Sequence, residues 1–502
     1  MSSTTRDLEK LDLAADAPQI PEPIHYVHEG RRDSKLSGYD ESVQYGEGRD
    51  STATYPQSLS SSPLRDTETY QDTRRERRQA YMTVLGGFLA LFCAFGQMNA
   101  FGTFQTYYAG HQLQAYSPST ISWIGSLQLW VFFSSGWPVG WLFDIYGPKP
   151  LMFTGSICVV LGLVLTSFST HYYHYILCQG ILFGLGVGLL FYPSLASIAT
   201  HFTKYRATAL GVCAAGSSLG GVIFPIMLQR LFDRVGFGWA VRAAALLSGV
   251  LCLLSVFTVS TAILPRKRNP ADCCAPNVAL SILKDSRFVL LAAGSSLVAL
   301  GKCDSFISNA EKLTHTCFTY LGLFIPLFYV VDYAQLPSPA GLSLKPETAF
   351  VALAVMNAGG VFGRVAPAIL SDVIGRFNLL APSAFLSGLL TIACWLTAKD
   401  ITRLMVYSVL YGFCSGAFIS VVTPCVAQIS DIREIGSRIG ALYSVISIPA
   451  LVGGPIAGAL LAANSHHSFT GPILFSGVTV ISGSFFIVAA KLAVNPELFA
   501  RV

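Results

Sequence analysis

The sequence predicts an all-α polytopic membrane protein: 12 transmembrane helices in two six-helix repeats. Three observations predict it. Of the 502 residues, 52% are hydrophobic and only 12% are charged, whereas a soluble domain carries about 25% charged residues. Apolar runs long enough for the ~20 residues that a membrane helix needs recur from residue 80 onward. One short loop occurs twice, as Asp144-Ile-Tyr-Gly147-Pro-Lys149 and as Asp372-Val-Ile-Gly375-Arg376. Each copy is a D-x-x-G followed by a cation, set between two apolar runs.

Residues 1–78 are polar, rich in Ser, Thr, Asp and Tyr, and lack periodicity. They are expected to form a disordered cytoplasmic tail, since such a composition cannot bury a core. Arg74, Arg75, Arg77 and Arg78 directly precede the first apolar run and favour a cytoplasmic N-terminus. Six spans follow, near 80–107, 120–142, 150–169, 173–200, 207–229 and 239–264, giving an N-terminal bundle over 79–264. A basic central loop, 265–286, leads to a second bundle over 287–493. Its spans are expected near 287–331, 348–370, 380–397, 402–428, 436–462 and 470–491, before a cytoplasmic tail at 494–502. Loops carrying Lys149, Lys204, Arg206, Arg376 and Arg433 fall on the same side as the central loop; the opposite loops at 108–119, 170–173 and 463–469 hold no Lys or Arg, the exceptions on that side being Arg230, Arg234 and Arg242, Lys345 and Lys399. That asymmetry places both termini in the cytoplasm, and the plasma membrane is the expected location.

The seventh span is anomalous. Two short apolar runs, 288–300 and 318–331, flank the polar stretch Gly301-Lys-Cys-Asp304 to Cys317. Two readings of 300–320 stay open: a translated, retained intron, or a genuine loop.

Small residues recur one turn apart in matched spans. The fourth span has Gly180, Gly184 and Gly188 before Tyr192-Pro193, and the tenth has Gly412 and Gly416 before Pro424. Such spacing lets helix backbones approach closely in lipid. Two related halves with a charged turn in each are the pattern of a secondary carrier, whose substrate site lies between the repeats.

Other classes fit poorly. The net charge of +5 sits at the ends of apolar runs and does not imply nucleic acid. No Gly-rich segment continues into the Lys-Ser/Thr of a phosphate-binding loop, and no cysteine pair has metal-ligand spacing with histidines nearby. No enzyme activity, cofactor or metal is expected. The partners expected are a small-molecule substrate and the lipid bilayer, with the monomer as the functional unit.

The segment Gly140-x-x-x-Asp144-x-x-Gly147-x-Lys149 resembles the loop between spans two and three of the major facilitator superfamily, and the likeness covers about residues 80–492. Within it, Phe95-Gly-Gln-Met-Asn99-Ala-Phe-Gly102-Thr-Phe-Gln105, the Gly-rich fourth span and Gly363-Arg364 leading to Asp372-x-x-Gly-Arg-Phe-Asn378 are similar to the fungal branch of the monocarboxylate-porter family. The resemblance implies alternating-access transport of a small organic molecule. It also exposes two departures. Animal members open the first span with an acidic-Gly motif, where this chain has Arg77-Arg78-Gln79-Ala80. Proton-coupled members also carry an acid ahead of the arginine in the eighth, where this chain has Asn357 ahead of Arg364. An amide cannot carry a proton, so efflux of a secondary metabolite is the leading expectation. The alternatives are uptake of a monocarboxylate or vitamin-like nutrient, and a non-transporting receptor.

Polar side chains in apolar surroundings supply the candidate substrate-binding set: Asn99, Gln105, Gln128, Tyr192, Asn357, Arg364 and Tyr411. Each also has a plain reading as an interhelical hydrogen bond. Arg364 could meet an anion or a carbonyl, or reach toward the nearby loop. The candidate gating set is Asp144, Gly147, Lys149, Asp372, Gly375, Arg376 and Arg438. The two aspartates lie at helix ends, where a carboxylate can cap a neighbouring helix N-terminus.

Overall fold

A computed structural model describes residues 63–262, 318–336, 341–463 and 468–494. The central loop, the interrupted part of the seventh span, and both chain termini lie outside the described residues. The described chain is helical throughout. In order, the helices are α1 (Pro63–Asn99), α2 (Phe101–Gly110), α3 (Pro118–Ser134), α4 (Gly136–Tyr146) and α5 (Pro148–Ser167). Then come α6 (Tyr172–Tyr175), a π-helical stretch at Ile176–Phe183, α7 (Gly184–His201) and α8 (Arg206–Thr258). The second half holds α9 (Phe318–Leu323), α10 (Ile325–Gln335), α11 (Pro346–Ile374), α12 (Arg376–Leu390), α13 (Ile401–Gln428), α14 (Ile435–Ala463) and α15 (Thr470–Val494).

Among the described residues, nine helical stretches are long and apolar enough to cross a membrane. One of them, α8, turns back at Gly236, whose φ of 77° breaks the helix into two crossings. The kinked pairs α3–α4 and α9–α10 supply the second crossing and the described part of the seventh, which brings the total to the expected twelve. Large apolar side chains face outward along the bundle, including Phe257 at 75%, Phe362 at 71% and Leu246 at 71% exposure. A surface of that kind suits lipid.

Element boundaries differ from expectation in several places, three of them in the first half. Helix α1 begins at Pro63, inside the segment expected to be a disordered tail. The fifth and sixth crossings are joined by a turn at Gly236 rather than by a nine-residue loop over 230–238. The second span is broken at Ser135.

Both broken crossings have a proline cause. A helical proline lacks an N–H and crowds the carbonyl four residues earlier. In lipid the freed backbone groups must find partners inside the protein. Pro138 frees the carbonyl of Ser134, which accepts from Ser444 Oγ at 3.2 Å. The same hydroxyl accepts from the Trp137 amide at 2.8 Å, and the Phe132 carbonyl accepts from Tyr192 Oη at 3.0 Å. In the seventh crossing Pro326 frees the carbonyl of Gly322, which accepts from Ser476 Oγ at 2.8 Å. The next carbonyl, Leu323, accepts from Tyr411 Oη at 2.6 Å. Each kink is thus held by side chains far away in sequence.

Leaving a buried carbonyl without its donor costs about 1–3 kcal/mol. Tyr411→Phe should therefore lower the unfolding temperature of the purified protein in detergent. Tyr407→Phe, whose hydroxyl has only a 3.5 Å contact to Thr391, should lower it less. Thermal unfolding of the two variants side by side checks the ranking.

Candidate functional site between the two halves

The two D-x-x-G turns sit at the same end of the bundle and are built alike. Gly147 ends α4 and Gly375 ends α11, with φ of 73° and 101°. Only glycine adopts such angles at little cost, so each turn needs its glycine to stop one helix and start the next. Stopping there leaves Asp144 and Asp372 in the last turns of α4 and α11, free to reach across to the other half.

They do so reciprocally. Asp144 accepts from the amides of Gly436 at 3.0 Å and Ser437 at 2.8 Å, and from Ser437 Oγ. These are second and third residues of α14. Asp372 accepts from the amides of Ala207 at 3.2 Å and Thr208 at 2.8 Å, and from Thr208 Oγ1 at 2.8 Å. These are the second and third residues of α8. The first amides of a helix have no partner within it, and Tyr205, the residue before α8, supplies no side-chain cap. A carboxylate from the opposite half fills that role, with the helix dipole favouring its charge.

Close backbone contact makes the reach possible. A Cβ added at Gly440 would lie 2.0 Å from the Gly136 carbonyl oxygen, and one at Gly140 would lie 2.1 Å from that of Gly436. On the other side, a Cβ at Gly211 would lie 2.5 Å from the Arg364 carbonyl oxygen.

Charge divides the two contacts. Arg376 Nη2 pairs with Asp372 at 3.3 Å and also donates to the Thr203 carbonyl. Arg206 Nη1 donates to the Ala427 carbonyl of α13 at 2.9 Å, a further bond across the halves. Lys149, the counterpart after Asp144, is exposed. Arg438 lies 3.9 Å from Glu434 and donates to the Ile429 carbonyl at 3.5 Å.

Deeper between the halves, Arg364 of α11 donates from Nη1 to the Ala214 carbonyl at 2.9 Å and to Ser217 Oγ, both on α8. Its stem lies over Gly416 of α13. Its Nε is buried and has no partner among the described residues. Tyr320 and Tyr443 lie within electrostatic range of the guanidinium. The hydroxyl of Tyr320 is likewise buried without a partner, and that of Tyr443 meets Thr423 at 3.0 Å. Around them aromatic rings from both halves pack together. Phe133 lies 6.0 Å from both Phe324 and Tyr443, Tyr192 lies 5.8 Å from Tyr443, and Tyr320 lies 5.4 Å from Phe418.

Of the other candidate binding residues, Asn99 and Asn357 come together. A Cβ at Gly221 would lie 2.8 Å from Asn99 Nδ2 and 2.8 Å from Asn357 Oδ1, so only glycine leaves room for both amides. Gln128 is buried with Oε1 unpaired among the described residues. Gln105 is half-buried on α2, with no contact to the Arg364 cluster. The hydroxyls of Tyr192 and Tyr411 are committed to the two kinks. Tyr320, Tyr443, Ser217 and Ser444 were not among the sequence candidates. Single hydroxyls in apolar runs look alike in sequence, and only their depth and partners separate them.

The comparisons with known proteins agree with this architecture. The family model described as Major Facilitator Superfamily matches residues 87–402. The chain belongs to the major facilitator superfamily. It is 36% identical to the agnestins efflux protein of Paecilomyces divaricatus, over 84% of this chain and 90% of that protein. It is 37% identical to the aspyridones efflux protein of Emericella nidulans, over 82% and 78%. The fold is similar to that of the human organic anion transporter TETRAN, with a TM-score of 0.60, 16% identity, and coverage of 82% of this chain and 99% of that one. The chain is a multi-pass membrane transporter of this superfamily.

Each reciprocal cap holds charged hydrogen bonds of about 1.5–3 kcal/mol apiece. Replacing both Asp144 and Asp372 by Ala should therefore release that end. Cysteines placed at Tyr146 and Arg433 should report it by crosslinking. Efficient crosslinking in the parent and weak crosslinking in the double variant is the expected result.

Proposed function

We propose that this transporter exports a small, largely apolar organic molecule carrying a hydrogen-bond acceptor or acidic group, as a secondary-metabolite efflux protein. The observation that carries the reading is the Arg364 cluster. Amid aromatic rings drawn from both halves it sets a cation whose buried Nε, and a phenol whose hydroxyl, have no partner among the described residues. Such a site offers apolar walls with a few placed donors, which is how ligand pockets combine affinity with orientation. The names of the two relatives above, both efflux proteins, support the outward direction.

In this reading the D-x-x-G end faces the cytoplasm, the membrane is the plasma membrane, and both termini are cytoplasmic. The reciprocal caps are the gate: made when the site opens outward, broken when it opens inward. Asp144, Gly147, Asp372, Gly375 and Arg376 build it, with Lys149 and Arg438 flanking. Arg364 contacts the substrate with Tyr320 and Tyr443, while Asn99 and Asn357 hold the two halves in register beside Gly221. The sequence likeness to the fungal branch of the monocarboxylate porters belongs to the same proposal, as do the two six-helix bundles acting as one functional monomer.

Comparing a strain lacking the gene with its parent, cells and medium separately, tests the direction. A compound that rises in cells and falls in medium supports export and names the substrate. Slower uptake of a carboxylate instead would overturn it. Re-introducing the gene with Arg364→Gln should then restore efflux at least about tenfold less well than the wild type. That follows from losing a charged hydrogen bond of about 1.5–3 kcal/mol.

A further inference from the structure

Helix α10 carries an acid that the gate and the Arg364 cluster do not use. Asp332 lies in its last turn, three residues before the end at Gln335. A helix C-terminus carries partial negative charge and disfavours a carboxylate there. Among the described residues no cation lies within ion-pair distance of Asp332, which makes its position costly if it stays charged.

The helix settles which way this acid faces. Val330 and Ala334 are fully buried in the core of the second half, and Tyr333 donates to the Ala398 carbonyl at 2.7 Å. The opposite stripe is Phe324, Phe328 and Asp332, spaced four apart and so along one face. Phe324 packs 6.2 Å from Phe328, which is 49% exposed, and Asp332 is exposed as well. At its inner end the stripe touches the other half, since Phe324 lies 6.0 Å from Phe133 and 6.0 Å from Tyr320. One stripe therefore runs along α10 from Phe324, which meets Phe133 of the first half beside the Arg364 cluster, past Phe328 to Asp332, on the face away from the core of the second half.

We propose that Asp332 is a proton-binding site on the substrate pathway, near the end opposite the gate. Its carboxylate takes a proton from water when that end is open, forming a neutral acid, and returns it when the surroundings change. The group is a carboxyl on the seventh crossing, and so it meets the lack of an acid at Asn357 and in the first span by a different route. The titratable side chains beside it on α10 are Tyr329, whose hydroxyl lies 2.9 Å from where a Cβ at Gly458 of α14 would be, and Tyr333, whose hydroxyl is taken by the Ala398 carbonyl. The helices packed against α10 include α11, α14 and α15. Their described ionisable groups are Arg364 and Asp372, Arg438 and Tyr443, and Lys491, and of these Arg364 and Tyr443 already belong to the inner cluster and Asp372 and Arg438 to the gate end.

The proposal rests on the transport reading for its purpose, but its test needs no substrate. Infrared difference spectra of the protein in lipid, recorded on stepping from neutral to acid pH, should contain a protonated-carboxyl band. That contribution should be lost in Asp332→Asn, shifted in Asp332→Glu, and kept in Asp144→Asn. A spectrum unchanged by Asp332→Asn overturns the proposal and leaves the efflux reading standing, because that rests on the metabolite comparison. Water-soluble carbodiimide with an amine, followed by peptide mass spectrometry, supplies the second arm. Asp332 should be labelled in the wild type and less labelled once the gate is released by Asp144→Ala with Asp372→Ala. No labelling, or equal labelling in both, also overturns it.

Discussion

A carboxylate from one half seated on the helix N-terminus of the other is the interaction on which the arrangement depends. In lipid there is no hydrophobic force to hold one helix bundle against another. What remains is close packing and polar contact, and the two aspartates supply both. Their reach requires Gly147 and Gly375 to stop the helices in the left-handed region, and Gly136, Gly140, Gly211 and Gly440 to bring backbones together. Residues that look like separate motifs in the sequence are parts of a single contact made twice. Asp144 and Asp372 stand 228 positions apart, as do Gly147 and Gly375, and Gly136 and Arg364.

In the proposed alternating-access cycle the same contact must also be breakable. A carrier moves between two states by differential interactions, and no ligand shifts that balance further than its own difference in affinity. Two caps of charged hydrogen bonds are large on that scale. Opening the gate end is therefore feasible only if the opposite end gains contacts as it closes, and α2 and α10 are the elements with surface to spare there. Gly102 already sits 3.8 Å from the Phe350 ring when given a Cβ. The exposed face of α10, with Phe328, is the corresponding surface in the second half.

Local features were legible in the sequence, and long-range ones were not. The repeated turn, the twelve crossings and the small-residue rows depend on neighbours within a few positions, so pattern reading finds them. Ser444 gives no such sign. It holds the kink at Pro138 from more than three hundred residues away, and nothing near position 444 announces that task. Tyr192 and Tyr411 stand out in the sequence as polar side chains in apolar runs, and their hydroxyls serve the backbone at two proline breaks. Asp332 escaped notice because the apolar run was taken to stop at 331, whereas the helix continues to Gln335. Helix α1 begins earlier than composition suggested, because a polar stretch can continue a helix that the membrane segment has already nucleated.

The two caps are equal in geometry and unequal in charge. Asp372 shares its site with Arg376, and Arg206 adds a bond from the same corner to α13. Among the described residues Asp144 meets amides and a hydroxyl, and Lys149 is exposed. A carboxylate held by dipoles alone gains less, when desolvated, than one that also meets a cation. The α4–α14 contact is thus the weaker of the pair, while the kink made by Pro138 joins α4 to α3, which carries Phe133. Movement starting there would reach Tyr443 and Phe324 directly, because both rings pack on Phe133. The seam between the second and eleventh crossings is in this way connected through packed rings to the aromatic cluster beside Arg364, whereas the α8–α11 seam carries the additional charged contacts.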